Sequence, residues 1–155
     1  MNAIDLLKAD HAKVQELFRQ YDRAGGQPRQ IAEQIFSELE IHAALEEELF
    51  YPALRGRLEP ATTEEDAEDL EEDLVDEALD EHREVKTLIA TLRALDPGDA
   101  QFKVKFAELR ESVEEHVGME EDELMPEAEA ALGAELEQLG QQLEERKEQL
   151  MAGKP

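Results

Sequence analysis

The chain holds four histidines, and they fall into two matched pairs. His42 opens the segment HAALEEELFYP and His116 opens HVGMEEDELMP. Aligned without a gap, both carry a long apolar residue at +3 (Leu45, Met119) and Glu at +4 (Glu46, Glu120). Both repeat Glu at +5 (Glu47, Glu121), then place an apolar residue at +8 (Phe50, Leu124) and Pro at +10 (Pro52, Pro126). The second pair, DHAKVQELF around His11 and EHREVKTLI around His82, shares an acid at −1, Val at +3, Leu at +6 and a large apolar residue at +7. The chain therefore reads as two copies of a helix pair, with His on the first helix and His-x-x-x-Glu on the second. Imidazole and carboxylate repeated in this way are a ligand set for a metal site with two centres.

Helical angle sorts the glutamates. Position +4 is rotated by only about 40° from its histidine, so Glu46 and Glu120 share the histidine face. Position +5 is rotated by about 140°, which directs Glu47 and Glu121 toward solvent or a helix edge. A buried unpaired carboxylate is costly, and metal coordination neutralises it. His11, His42, Glu46, His82, His116 and Glu120 can hold two transition-metal ions, two histidines to each, with both carboxylates bridging. The mixture suits iron, with zinc or manganese as substitutes.

Positioning such ligands requires helices, and the composition supplies them. Of the 155 residues 41% are hydrophobic, 37% charged and only 5% aromatic, as in a helical bundle. The first apolar stripe (Ile4, Leu7, His11, Val14, Phe18) marks a helix over residues 2–21, broken by AGGQP. A second spans about 29–57 and should kink or end near Pro52. EPATTEED reads as a turn, with Thr62 and Glu65 as a capping box and the acids from Glu64 to Asp73 crowding the next first turns. The third helix carries Leu74, Ala78, His82, Val85 and Ile89 to about residue 95, where DPGD stops it. The fourth runs over about 100–125, and a last stripe (Leu136, Leu139, Leu143, Leu150) follows Gly133. The expected fold is all-α: an antiparallel up-down-up-down four-helix bundle over 1–130, with an additional amphipathic helix and tail over 131–155. Counted from the connecting loops, the four histidines differ in height by about one helical turn or less, so they should meet in the core.

Charge and cysteine content exclude other classes. The formal net charge is −25, which disfavours nucleic acid and anionic membranes as partners. There is no cysteine, hence no disulfide, thiolate metal site or iron–sulfur cluster. No apolar run approaches the roughly 20 residues of a membrane span. The N-terminus lacks the basic start and long apolar stretch of a signal peptide, so a cytoplasmic location is expected.

On DH at Asp10 and His11, HAALEEELFYP, EH at Glu81 and His82, and HVGMEEDELMP, the chain resembles the hemerythrin family, specifically the hemerythrin-like HHE cation-binding domains. The resemblance covers about residues 1–130. It implies a non-haem di-iron centre with oxo or hydroxo and carboxylate bridges. It also implies a protein that binds oxygen or nitric oxide, senses redox state or iron, or acts on peroxide. The non-enzymatic alternative is an iron- or oxygen-binding sensor whose metal state controls a partner contact. Two departures stand out. The oxygen carriers have a further His four residues after the third-helix His, where this chain has Lys86, which leaves a position open and favours metal chemistry or sensing over carriage. They also carry an Asp at +5 on the fourth helix, where this chain has Glu at +4 and +5; angle and symmetry favour Glu120, with Glu121 as the substitute.

The neighbours divide as follows. Lys86 either snorkels to solvent or donates to a ligand glutamate or bound oxygen species. Asp10 and Glu81, rotated away from their own histidines, are expected on solvated faces, the alternative being to orient histidines. Tyr21 and Tyr51 are expected to pack in the ordinary way. Gly118 points away from the site and would allow close approach of another helix. The last helix should pack on the bundle, with a dimer or protein-partner contact as the alternative, the chain being a monomer or homodimer.

Overall fold

The computed structural model of the chain describes residues 1–25, 29–56 and 70–153, with backbone alone over 70–73. Helix α1 (Ala3–Arg23) starts where the Asn2 side chain accepts from the Asp5 N–H at 2.9 Å, which satisfies one of the free donors of the first turn. Its predicted stripe is its buried face: Ile4, Leu7, His11, Val14 and Phe18. Helix α2 (Arg29–Leu45) is followed by a π-helical turn (Glu46–Phe50) and a short α3 (Tyr51–Gly56). Helix α4 (Leu70–Ala94) leads to α5 (Ala100–Met119), which Asp99 caps by accepting from the Gln101 N–H at 2.8 Å. A second π-helical turn (Glu120–Leu124) opens into α6 (Met125–Leu132), and after Gly133 comes α7 (Glu135–Ala152). No strand occurs among the described residues. The proposed Thr62–Glu65 capping box and the acidic run that follows it lie outside the described side chains.

Proline explains the two π turns. Pro52 and Pro126 cannot donate to the carbonyl four residues back, and their rings crowd it. The expected break in the regular helix takes this form: α2 stops at Leu45 and the chain widens by one residue before α3 resumes. The Tyr51 N–H bonds Glu46 O and the Met125 N–H bonds Glu120 O, an i to i−5 pattern that carries the helix past the proline. Each turn begins at a +4 glutamate.

Side-chain pairs set the helix directions. Arg93, late in α4, grips Glu40 in α2 at 2.7 Å, and Tyr21, at the end of α1, stacks on Phe106 early in α5 at 4.2 Å between centroids. Arg93 also reaches Glu33, early in α2, at 3.4 Å, so both pairings join one helix's end to the other's beginning, as antiparallel neighbours do. The apolar core is split in two. One cluster gathers Leu7, Leu45, Leu54, Val75, Leu124 and Leu143, and the other gathers Val14, Ile35, Phe36, Leu92, Phe106 and Leu109. The histidine layer lies between them: along α1, Leu7 belongs to the first, His11 to neither and Val14 to the second.

Helix α7 packs on α1 and α2, burying Leu136, Leu139 and Leu143 in the first cluster. Gly140 permits this, since a Cβ there would meet the Met1 carbonyl oxygen at 2.5 Å. The close approach expected at Gly118 is not found: a Cβ there would meet nothing within 4 Å.

Candidate metal centre

All six residues chosen from spacing converge. His11, His42, His82 and His116 are each at most 7% exposed, and Glu46 and Glu120 are 0% exposed. They divide into two overlapping groups, His11–His42–Glu46–Glu120 and Glu46–His82–His116–Glu120, and within each the donor atoms lie within 4.8 Å of one another. The paired Nε2 atoms of His11 and His42 are 3.1 Å apart, and those of His82 and His116 are 3.3 Å apart. Glu120 reaches both pairs, with Oε1 3.0 Å from His11 Nε2 and Oε2 3.2 Å from His116 Nε2. Glu46 Oε1 does the same, at 3.3 Å from His42 Nε2 and 3.0 Å from His82 Nε2.

The outer ring nitrogens decide what the inner ones can do. His11 Nδ1 faces Glu121 at 2.7 Å, His42 Nδ1 faces Asp10 at 3.0 Å, His82 Nδ1 faces Glu47 at 2.8 Å, and His116 Nδ1 faces Glu81 at 2.7 Å. An ionised carboxylate only accepts, so each Nδ1 carries the hydrogen and donates. In the neutral ring Nε2 is then a lone pair aimed inward. Four lone pairs and two carboxylates enclose a space with acceptors alone. Glu46 Oε2 and Glu120 Oε1 are buried with no hydrogen-bond partner among the described residues. Such a cluster is stable only with cations inside it, and its donor chemistry fits two transition-metal ions.

In the metal-free chain, protons take that role. Burial pulls the His42 imidazolium down, but Glu46, Asp10 and Glu120 overcome it and hold His42 well above the ordinary 6.5. Burial likewise opposes His116, which Glu120, Glu46 and Glu81 push up to about 12. Burial would raise both carboxyls, and Glu120 would raise Glu46 further, yet His42 and His116 keep Glu46 below the usual carboxylate range, and the contact with Glu46 together with His11, His116 and His42 keeps Glu120 below it.

Several neighbours differ from expectation. Asp10 is not on a solvated face: it is 4% exposed and accepts from His42, one helix away. Glu81 does the same for His116. Position −1 turns away from its own histidine and toward that of the adjacent helix. Of the two places expected for the +5 glutamates, solvent or a helix edge, the part-buried edge is the one they take, and from it Glu47 reaches His82 and Glu121 reaches His11. Lys86 donates to both oxygens of Glu47 at 2.9 Å, so it braces an orienting carboxylate instead of contacting a ligand glutamate. Tyr51 does more than pack. Its hydroxyl donates to Glu120 Oε2 at 2.7 Å and lies 3.3 Å from His82 Nε2, while burial and the two glutamates hold the phenol well above its usual 10. Sequence offered one signal for it, the matching distance of Tyr51 and Met125 from their histidines. Tyr21 packs against Phe106 in the second cluster, remote from the site. Beside the histidines a cavity of about 40 Å³ opens toward that cluster, walled by Val14, Leu39, Val85, Ile89, Val113 and Val117.

A four-helix bundle whose core layer is four imidazoles and two carboxylates defines a metal-binding bundle protein. Residues 2–128 match the Hemerythrin HHE cation binding domain family, and the chain belongs to it. An uncharacterised protein of Mycobacterium tuberculosis is 30% identical over 155 residues, covering 97% of this chain and 88% of that protein. A DNA nickase of a Nostoc species is 32% identical over 127 residues, covering 80% of this chain but only 32% of the nickase. The crystal structure of a hemerythrin HHE cation binding domain-containing protein from Mycobacterium kansasii superposes with a TM-score of 0.79 at 26% identity, over 98% of this chain and 88% of that one. Among the described residues, no helix is long and apolar enough to cross a membrane.

Proposed function

We propose that this protein carries two iron ions at the centre and binds oxygen-derived small molecules there, with peroxide decomposition as its activity. The observation that carries this reading is the all-acceptor cluster opening onto a cavity of about 40 Å³ with aliphatic walls. One water needs about 10–15 Å³ of such space, so the cavity takes a small molecule such as a diatomic or peroxide. Iron supplies the electron exchange with such a ligand. The chain's own groups do the rest. Val14, Val85, Ile89 and Val113 keep bulk water from the cavity side. The four orienting carboxylates fix each imidazole with Nε2 inward. Tyr51 holds a proton between Glu120 and His82, on the side of the centre opposite the cavity's second-cluster wall.

The nickase relationship does not extend the proposal to DNA. The match spans a third of that protein, and a net charge of −25 repels phosphate.

The second reading is a non-enzymatic one, iron or oxygen sensing through a partner contact, and the salt bridge from α7 to the centre favours it. Metal content per chain with an optical spectrum, followed by peroxide consumption, separates the readings. Two irons per chain with repeated turnover supports the first. Two irons with stoichiometric binding and altered proteolysis of α7 supports the second. Wild-type protein that takes up no metal after loading, and so matches the Glu46→Gln, Glu120→Gln double variant, refutes both.

A further inference from the structure

We infer that Lys147, on the terminal helix, is a positioning residue of the metal centre, an inference that rests on the metal-binding reading above. Its ammonium donates to Asp10 Oδ1 at 2.5 Å, and Asp10 Oδ2 accepts from His42 Nδ1 at 3.0 Å. The carboxylate thus has one partner for each oxygen. It is 4% exposed and the Lys147 side chain 22% exposed, so little water competes for either contact. Two features of α7 seat the lysine. Leu143, one turn earlier, is 0% exposed, and Gly140 lets the helix backbone lie directly against Met1–Ala3, at the start of the helix that bears Asp10.

Lys147 stands outside residues 2–128, which match the family, so the family pattern does not supply it. The other half of the centre has an analogous brace, Lys86 on Glu47, but that lysine is 50% exposed and comes from within the bundle. The chain has therefore recruited a fifth helix to do on one side what its own third long helix does on the other. Without Lys147 the buried Oδ1 has no donor. Asp10 then gains by rotating toward solvent, and His42 loses the acceptor that fixes its ring.

The test is cobalt(II) titration of the metal-free full-length chain, followed by visible absorption, with far-ultraviolet circular dichroism to verify folding. Lys147→Met should weaken one of two binding steps about tenfold, the scale on which partners of ligand histidines act, and leave the other unchanged. Lys147→Arg, which keeps a donor, should restore that step. Arg146→Met removes the neighbouring contact of the same helix, Arg146 to Glu48 at 2.9 Å, and should leave both steps as in the wild type. Wild-type affinities in Lys147→Met overturn the inference. So does an equal loss in Arg146→Met, which would assign the effect to docking of α7 as a whole. A wild-type chain that binds no cobalt defeats the metal reading itself, a separate failure.

Discussion

Stripping the metal and raising the pH should unfold this protein in a way that the loaded protein resists. In the metal-free chain His42 and His116 are held above the ordinary histidine value of 6.5, His116 to about 12. A histidine whose folded-state value is raised contributes stability that is complete below the unfolded value and is lost as pH climbs toward the folded one. The loss is about 1.4 kcal/mol per pH unit for each group. Between pH 6.5 and about 8.5, His116 alone loses roughly 3 kcal/mol, and His42 deepens the decline in the same direction. That is a large share of the stability of a domain, about 5–15 kcal/mol. Glu46 and Glu120 carry the opposite sign: held below 4.5, their contribution is present above that value and lost as pH falls. The metal-free chain should thus be most stable between pH 4.5 and 6.5. Bound metal replaces the inner protons, so the loaded protein should show no such decline above pH 6.5. Urea midpoints by circular dichroism, taken for both forms across this range, test the point. A metal-free midpoint that stays level from pH 6.5 to 8.5, or the same decline in both forms, would refute the proton-for-metal exchange.

Four substitutions follow from the same geometry. Tyr51→Phe removes the donor to Glu120 Oε2 and should cost the metal-free protein about 1–3 kcal/mol by urea denaturation, with native helix content retained. Glu47→Ala takes the acceptor from His82 and the partner from Lys86, and should weaken one metal-binding step by about 10–100-fold in a cobalt titration. Gly140→Ala forces a Cβ to 2.5 Å from the Met1 carbonyl oxygen, so α7 must shift; a loss of about 1–3 kcal/mol and faster proteolysis of the C-terminal helix are expected. Gly118→Ala meets nothing within 4 Å and should stabilise the helix by about 0.5–1 kcal/mol, measured as a raised thermal midpoint.

The bundle and its polar layer were legible because their signals are periodic and local. Each histidine takes the place of an apolar residue on a stripe, so burial and register followed from spacing and loop length. Glu46 and Glu120 followed from one angle within one helix. What escaped the sequence was everything that depended on the neighbouring helix. The acid before His11 turns away from His11, and that rotation is what carries Asp10 to His42; intrahelical angle alone reports only the first half. Lys147 is further removed still, since nothing in the stripe of α7 says which bundle residue its polar edge will meet.

The +5 glutamates show a different kind of blindness. An ideal α-helix turns Glu47 and Glu121 toward solvent or a helix edge, and the sequence contains no residue that chooses between them until Pro52 and Pro126. Those prolines act backward along the chain. By denying an N–H to the helix, each makes the i to i−5 register the better way to continue, and the widened turn begins at the +4 carboxylate. One consequence is that Glu46 and Glu47 both serve the centre, on opposite sides of His82: the first faces Nε2 at 3.0 Å and the second Nδ1 at 2.8 Å. Consecutive residues on a regular helix, about 100° apart, are poorly placed to bracket one ring. The proline at +10 is therefore part of the motif's chemistry, since it sets the backbone register through which an adjacent Glu-Glu pair supplies a ligand to the centre and an orienting acceptor to its histidine.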